Sequence, residues 1–233
     1  MSYMQLKPTM RYAKHSSGTS VVVKYLRPDC NELSILRYLH SDAASRKYIL
    51  PLLETLELDR GTFIILPEAT SLELGFAFKT FGDNGADFSR QLIEGVAYLH
   101  HCDIAHLDIK PKNIVVLETR LFIIDFDISV RVDGPDALID RWCGTPGWMA
   151  PEIGHEDGPV CRYSPIRADL WSCGRMLEYL ASKGIIQDNW LKTLTVQLLN
   201  KNPRLRPLLD WQGLKRKPDA ALPRDAKRPA FVA

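Results

Sequence analysis

The pattern of apolar and polar residues in the first third of the chain predicts a small antiparallel sheet with one helix. The β-branched segment Thr19–Leu26 follows the turn-like sequence HSSG, so we predict it to be the second strand of a hairpin. Leu33, Leu36 and Leu39 then recur at helical spacing and predict a helix that packs on this strand. Two more apolar runs flank the Asp59-Arg60-Gly61 turn and predict two further strands.

After about residue 70 the pattern becomes mainly helical. Four apolar residues at helical spacing predict a helix that ends near His100, namely Phe88, Leu92, Val96 and Leu99. Short apolar runs at 114–116 and 121–124 predict two strands. The segment Ala168–Ser182 is apolar nearly all round, which is typical of a buried helix, and Gly184 ends it. A last amphipathic helix is predicted over Trp190–Leu199.

These elements predict an α+β chain in three regions: a sheet-rich part at 1–69, a mainly helical part at 70–211, and a disordered basic tail at 212–233. The tail is rich in proline, alanine and charge, a composition that cannot bury enough apolar surface to fold. Its lysines and arginines could form a nuclear-import signal, but we favour the simpler interpretation of a solvated tail.

Composition and charge narrow the function classes. With 45% hydrophobic and 25% charged residues, the 233-residue chain can bury a sizeable core. The formal net charge is +2, and the tail holds six basic and two acidic residues, so the remainder sums to −2. A nucleic-acid partner is therefore not expected.

The cysteines and the apolar runs indicate the compartment. The five cysteines are scattered and never form a CxxC pair, which favours reduced thiols inside the cell. No stretch approaches the length that crosses a bilayer, and residues 1–20 contain no run of the signal-peptide type. We therefore expect no membrane partner and a cytoplasmic location, with the nucleus as the alternative.

One short loop concentrates chemically useful side chains. The sequence HLDIKPKN, from His106 to Asn113, places Asp108, Lys110 and Asn113 together, and Asp125 ends an apolar strand twelve residues later. Phosphoryl transfer needs a carboxylate that accepts a hydroxyl proton, a cation for the γ-phosphate, and oxygen ligands for Mg²⁺. In isolation, such a loop could equally be a polar turn whose Asp and Asn only satisfy the backbone.

The surrounding motifs give the loop its context. The loop and Asp125-Phe126-Asp127 resemble the catalytic loop and the metal-binding D-F-G element of protein kinases. GTPGWMAPE at Gly144–Glu152 resembles the end of their activation segment, and DLWSCG at Asp169–Gly174 follows in the family's order. The resemblance covers Thr19 to Trp211. It implies the eukaryotic-type protein kinase fold, an α+β bilobal fold with, here, a truncated β-rich N-lobe and a mainly helical C-lobe.

The resemblance also implies roles for individual residues. It makes Asp108 the catalytic base, Lys110 the cation of the transition state, and Asn113 and Asp125 the Mg²⁺ ligands. Thr145 would tie Asp108 and Lys110 to the substrate-binding loop. The lysine two places after the aspartate, and Gly144-Thr145 before the A-P-E element, resemble the serine/threonine class. ATP, Mg²⁺ and a protein substrate are thus implied.

Two weaker resemblances concern nucleotide binding. Lys24 resembles the strand lysine that holds the α- and β-phosphates, and Glu32 resembles its helix partner. Glu32 with Asp29 also fits a helix-capping box, although we favour the ion pair. Pro67 and Ala69 lie where the family's hinge binds adenine through a backbone carbonyl and an N–H group, but this segment could be an ordinary strand end.

Arg206 resembles the arginine that pairs with the glutamate of the A-P-E element, which is Glu152 here. Both residues would be structural.

The sequence departs from the family pattern at three places. Gly18 is the only glycine before Gly61, so the glycine-rich loop over the phosphates is absent, which should weaken ATP binding. Asp127 replaces the glycine of D-F-G, whose backbone freedom it only partly retains. Leu107 replaces the arginine that receives an activation-loop phosphate, so we expect no dependence on that switch.

Three function hypotheses follow. The leading one is an ATP-dependent protein serine/threonine kinase. The second is a pseudokinase that binds partners through a folded C-lobe without transferring phosphate, motivated by the missing glycine loop and Asp127. The third is a small-molecule phosphotransferase of the aminoglycoside-kinase type, which the segments 144–152 and 169–174 argue against.

Overall fold

A computed structural model describes residues 9–73, 85–159 and 161–216 of the chain. Four strands, β1 (Met10–Lys14), β2 (Ser20–Leu26), β3 (Glu54–Leu58) and β4 (Gly61–Pro67), form one antiparallel sheet in the order β1-β2-β4-β3. The strands β1 and β2 form the predicted hairpin, and β3 and β4 flank the predicted turn at 59–61. The sheet-rich start of the chain is therefore confirmed.

The helix α1 (Glu32–His40) follows β2, as its apolar spacing predicted. Its buried face consists of Glu32, Ile35, Leu36 and Leu39. These positions follow the i, i+3, i+4, i+7 spacing of one helix face. Leu33, which was predicted to belong to this face, is only partly buried but packs against the same core.

The rest of the described chain is mainly helical. Its long helices are α2 (Gly85–His101), α3 (Pro165–Ser182) and α4 (Asn189–Leu198). All four residues of the predicted α2 face are buried. Five short strands accompany the helices, β5 (Thr70–Ser71), β6 (Ile104–Ala105), β7 (Ile114–Leu117), β8 (Arg120–Ile123) and β9 (Val130–Arg131). The strands β5, β7 and β8 form one small sheet, and β6 pairs with β9. Together with the four-stranded sheet, this arrangement confirms the α+β class.

The buried helix α3 begins three residues earlier than predicted and ends where predicted. Ser164 caps it, because its Oγ accepts a hydrogen bond of 3.1 Å from the Arg167 N–H, and Pro165 occupies the first helical position. At the other end Gly184 adopts a φ of 75°, and the Ile185 N–H reaches back to the Leu180 carbonyl. A left-handed residue of this kind is a common helix terminator.

Close packing of α3 against α4 depends on Gly174. A Cβ atom placed on this residue would lie 2.9 Å from the Cβ of Leu198 and 3.0 Å from side-chain atoms of Leu199. The glycine that ends the DLWSCG motif therefore lets the two helices approach each other closely.

The prediction that disorder begins at residue 212 is wrong for its first residues. A fifth helix, α5 (Trp211–Arg216), covers residues 212–216, and the rest of the predicted tail lies outside the described residues. Trp211 anchors the helix, because its buried ring stacks on His101 and packs against Tyr98. The free energy gained by burying this large aromatic ring stabilises the helix although the residues that follow are rich in charge.

Within the described ranges, no helix is both long and apolar enough to cross a membrane. The division of the chain at residues 69 and 70 stays a prediction.

Candidate active site

A cleft of about 770 Å³, measured with its open mouth, lies between the four-stranded sheet and the helical part. One wall comes from β1, β2 and β4, and the opposite wall comes from the segment 112–125. Six residues of the predicted site line this cleft: Lys24, Glu32, Pro67, Ala69, Asn113 and Asp125.

The predicted ion pair between Lys24 and Glu32 is present. The Lys24 Nζ lies 2.6 Å from a carboxylate oxygen of Glu32 and 2.6 Å from one of Asp125. All three side chains are at least nine-tenths buried. Asn31 occupies the N-cap of α1 instead of Asp29, so the capping-box alternative does not hold.

The pKa values of Lys24 and Glu32 are both raised in this cluster. Burial alone would lower the pKa of Lys24, but the carboxylates of Glu32 and Asp125 outweigh it, so the Lys24 pKa is raised and the ammonium stays charged. Burial raises the pKa of Glu32, the carboxylates of Asp125 and Asp127 raise it further, and Lys24 opposes them. Two carboxylates thus share one ammonium.

The loop residues of the predicted site form a closed hydrogen-bonded ring. The Lys110 Nζ donates to Asp108 Oδ2 over 2.7 Å and to the Thr145 hydroxyl over 2.6 Å. Thr145 in turn donates to Asp108 Oδ1 over 2.6 Å. The Asn113 Nδ2 donates to Asp108 Oδ2 over 2.8 Å, so its amide oxygen, Oδ1, is the atom that could face a cation. The structure therefore brings together Asp108, Lys110, Asn113 and Thr145.

Asp169 fixes the backbone at the start of this loop. Its carboxylate accepts hydrogen bonds from the backbone N–H groups of His106 and Leu107 over 2.6 and 2.7 Å. The carboxylate is fully buried, and Leu107 adopts a φ of 66°. A left-handed leucine costs free energy, which the two charge-assisted hydrogen bonds offset. Sequence analysis found the DLWSCG motif but assigned no role to its first residue.

The segment Asp125-Phe126-Asp127 corrects one expectation. The left-handed backbone occurs at Asp125, with a φ of 71°, and not at Asp127, where the family has glycine. Asp127 therefore needs no glycine-like freedom and instead accepts a hydrogen bond from the Cys30 thiol. Phe126 is buried beside the His106 ring, with 5.0 Å between ring centroids, which fixes Asp125 next to the loop.

The strand end proposed as a hinge also faces the cleft. Pro67 and Ala69 both line it, while the N–H of the intervening Glu68 bonds to the Ser20 carbonyl. The segment at 67–69 thus presents alternate residues to the cavity and ties the middle one to the sheet.

The predicted pair of Arg206 and Glu152 is present away from the cleft. The two guanidinium NH groups of Arg206 donate to both carboxylate oxygens of Glu152, over 2.5 and 2.8 Å. The Arg206 side chain is fully buried. Such a bidentate pair fixes the end of the segment that contains Thr145.

Sequence analysis missed several residues that line the cleft, among them Met10, Tyr12 and Lys112. Met10 and Tyr12 line the wall formed by the sheet, because β1 places them opposite Lys24 and Val22. Lys112 lies between Lys110 and Asn113 in sequence and lines the opposite wall. A motif search could not identify the first two, since their position depends on strand register. Lys112 lies inside the recognised loop, and its position within that loop was the available signal.

The side chains present fit a nucleotide and a divalent cation. Apolar walls from Val22, Leu66 and Val115 suit a flat base, and the buried Lys24 ammonium suits phosphate. The Asn113 amide oxygen and the Asp125 carboxylate are hard oxygen ligands of the kind Mg²⁺ prefers.

Comparison with known proteins gives consistent matches. The family model described as "Protein kinase domain" matches residues 13–198. "CBL-interacting protein kinase 29" of Oryza sativa subsp. japonica is 34% identical over 58% of this chain and 30% of its own length. "CBL-interacting protein kinase 26" of the same organism is 33% identical over 73% of this chain and 36% of its own.

A relative from an animal matches over a similar range. The "Serine/threonine-protein kinase H1 homolog" of Pinctada fucata is 28% identical over 73% of this chain and 41% of its own length. The chain thus spans less than half the length of these curated relatives.

Proposed function

The chain belongs to the protein kinase family, and on that premise we propose that it transfers the γ-phosphoryl group of ATP to serine or threonine hydroxyls of other proteins. The observation that carries the proposal is the ring of Asp108, Lys110 and Thr145, with Asn113 bonded to the same carboxylate. Asp108, Lys110 and Asn113 supply, on one loop, groups that phosphoryl transfer needs, and Thr145 joins them from the segment 144–152.

Asp108 acts as the catalytic base in this proposal. Its carboxylate is held on both oxygens, by Thr145 on Oδ1 and by Lys110 and Asn113 on Oδ2. A fixed carboxylate can accept a hydroxyl proton without losing orientation, and fixed geometry is a large part of the rate enhancement in such reactions.

Lys110 supplies positive charge where the transferred group gains negative charge. Its ammonium lies within hydrogen-bonding distance of the base, so one cation can balance both the carboxylate and the phosphoryl oxygens. The Thr145 hydroxyl accepts a second hydrogen bond from this ammonium and so helps to fix it.

Lys24 and Glu32 bind the nucleotide in this proposal. Lys24 stays charged in a buried setting, where its attraction for phosphate is weakly screened, and Glu32 fixes the position of Nζ. Pro67 and Ala69 would meet the adenine through backbone groups.

Asn113 and Asp125 would hold Mg²⁺, which when bound neutralises phosphate charge. Both side chains line the cleft, and their oxygen atoms are the hard ligands that Mg²⁺ prefers.

Reduced thiols support an intracellular location, which we propose to be cytoplasmic or nuclear. All five cysteines are free, and reduced cysteines are typical of intracellular proteins.

Two measurements test the proposal. Mg-ATP should raise the melting temperature of the wild type, because a ligand that binds only the folded state stabilises it, and the shift should vanish in Asp125→Ala. Phosphoamino-acid analysis of a mixed protein substrate should then find phosphoserine and phosphothreonine. Absence of a thermal shift in the wild type, or phosphotyrosine as the main product, would refute the proposal.

A further inference from the structure

Three contacts join α1 and the residues before it to the segment that follows Asp125. We call this set the α1 seam. Its members are Cys30, Asn31 and Tyr38 on the helix side and Asp127, Ser129 and Arg131 on the segment side. The Cys30 thiol donates to Asp127 over 3.1 Å, and the Asn31 Nδ2 donates to the Ser129 carbonyl over 2.9 Å. The Arg131 guanidinium lies over the Tyr38 ring, 4.2 Å from its centroid.

Asn31 is the N-cap residue of α1, but its side chain makes no capping hydrogen bond. An asparagine at a helix N-cap normally accepts a hydrogen bond from the first turn, which stabilises the helix. Here the N-cap residue makes no side-chain cap and has helical angles, with φ −87° and ψ 0°. Its amide instead donates to Ser129, which is 98 positions away. The side chain therefore serves a tertiary contact in place of its own helix.

Ser129 extends this contact to the catalytic loop. It is fully buried, and its Oγ donates to the His106 carbonyl over 3.1 Å. His106 begins the loop that contains Asp108, and Asn31 directly precedes Glu32. A short path of hydrogen bonds and chain neighbours thus connects the Lys24–Glu32 pair with the loop that would carry the chemistry.

No phosphate-binding arginine precedes Asp108. Leu107 occupies that position and is buried, so it offers no charge to a phosphorylated side chain. The α1 seam joins α1 to the segment 127–131 through a thiol–carboxylate hydrogen bond, an amide–carbonyl hydrogen bond and a cation–π contact.

We propose that Asn31 is a positioning residue that holds Glu32, and through it Lys24, in place for nucleotide binding, and that the α1 seam does so without a phosphorylated residue. The proposal rests on the function proposed above, since it concerns the same cleft. Asn31 acts through Glu32 and not by touching substrate.

The variant Asn31→Asp separates this role from a helix-stabilising one. Aspartate caps a helix about as well as asparagine and suits the helix dipole, but its carboxylate cannot donate to the Ser129 carbonyl. Ser34→Ala is the matched control, because Ser34 also bonds within the first turn of α1, to the Asn31 carbonyl, and is exposed. Asn31→Ala serves as a second variant that lacks any added charge.

The experiment combines amide hydrogen exchange with ATP-dependent kinetics. In Asn31→Asp, exchange in residues 32–40 and 128–131 should become about three- to tenfold faster, and the KM for ATP should rise by a similar factor. The kcat and the melting temperature should change much less. In a Glu32→Gln background, the same substitution should raise the KM no further, because both act on one contact.

Two results would overturn the proposal: unchanged exchange in both Asn31 variants, or KM effects that add fully to those of Glu32→Gln. If the wild type transfers no phosphate at all, the proposed function fails, whereas the exchange comparison still decides whether the α1 seam holds the helix. Ser34→Ala should match the wild type in every readout.

Discussion

Thr145 donates a hydrogen bond of 2.6 Å to Asp108, although the two residues lie 37 positions apart in the chain. Lys110 bonds to both of them, so the three side chains form a ring. The ring joins the loop 106–113 to the GTPGWMAPE segment, whose far end is held by the pair of Glu152 and Arg206. A defect at either end should therefore disturb the carboxylate of Asp108.

Removing the Thr145 hydroxyl should slow phosphate transfer without unfolding the protein. Thr145→Val keeps the shape of the side chain but loses both hydrogen bonds, and we expect kcat to fall by about tenfold to a hundredfold. Thr145→Ser keeps the hydroxyl and should retain most of the activity. Steady-state kinetics of the two variants check this, and equal rates for both would show that the ring does not position Asp108.

Lys24→Met should weaken ATP binding strongly. The substitution removes the ammonium that we propose to bind phosphate and leaves Glu32 buried without its partner, so the Kd for Mg-ATP should rise by at least about tenfold. Lys14→Met is the control, because the exposed Lys14 lies on the neighbouring strand β1 and its ammonium donates to Ser20. Isothermal titration calorimetry measures both, and an equal Kd in the two variants would exclude Lys24 from the nucleotide site.

The pH dependence of this site follows from the direction of the Lys24 shift. A raised lysine pKa gives a stabilising contribution that is complete below the ordinary value of 10.5 and is lost only as the pH rises through the raised value. Deprotonation of Lys24 should therefore not weaken nucleotide binding between about pH 7 and 9.

Breaking the pair of Glu152 and Arg206 should cost stability. Glu152→Gln leaves the fully buried Arg206 guanidinium without its counter-ion, and we expect a loss of about 3 kcal/mol in the free energy of unfolding. Arg204→Gln, at an exposed neighbouring position, should change it by less than about 0.5 kcal/mol. Urea denaturation of the two variants decides whether this pair is structural, as the sequence resemblance implied.

Cys30 should react slowly with alkylating reagents and faster after a change at Asp127. Burial, the hydrogen bond to Asp127 and its negative charge raise the pKa of the Cys30 thiol to about 11, so little thiolate exists at neutral pH. Asp127→Asn removes the charge, which should lower this pKa and speed alkylation. The exposed Cys161 in the same sample is the internal control, and mass spectrometry follows both sites.

An unchanged Cys30 rate in Asp127→Asn, with Cys161 also unchanged, would mean that the contact between Cys30 and Asp127 does not form in solution. A rate that rises at both cysteines would indicate general loosening of the fold instead.

Much of the site was predictable because its signals are local. The loop from His106 to Asn113 is continuous in sequence, and the lysine and glutamate of the N-terminal part lie only eight positions apart. The positions of Met10 and Tyr12 in the cleft depend on how β1 pairs with β2, which no motif specifies. The hydrogen bond between Asn31 and Ser129 could not be predicted either, because it joins residues 98 positions apart.

Two errors have physical causes of a similar kind. The helix α5 was missed because composition averages over many residues. The helix depends on a single residue, Trp211, whose ring packs against Tyr98 and His101. The concern over Asp127 assumed that the family's glycine marks a left-handed backbone, but in this chain that conformation is at Asp125.

The central claim is that Asp108 acts as the base in phosphate transfer from ATP, and one measurement tests it most directly. Transfer of labelled γ-phosphate from ATP to a protein substrate should be compared between the wild type and Asp108→Asn, with equal Mg-ATP binding in both as the control. We expect the wild type to transfer phosphate and the variant to be slower by at least about a hundredfold. Equal rates in the two proteins, or no transfer by a wild type that binds Mg-ATP, would contradict the account.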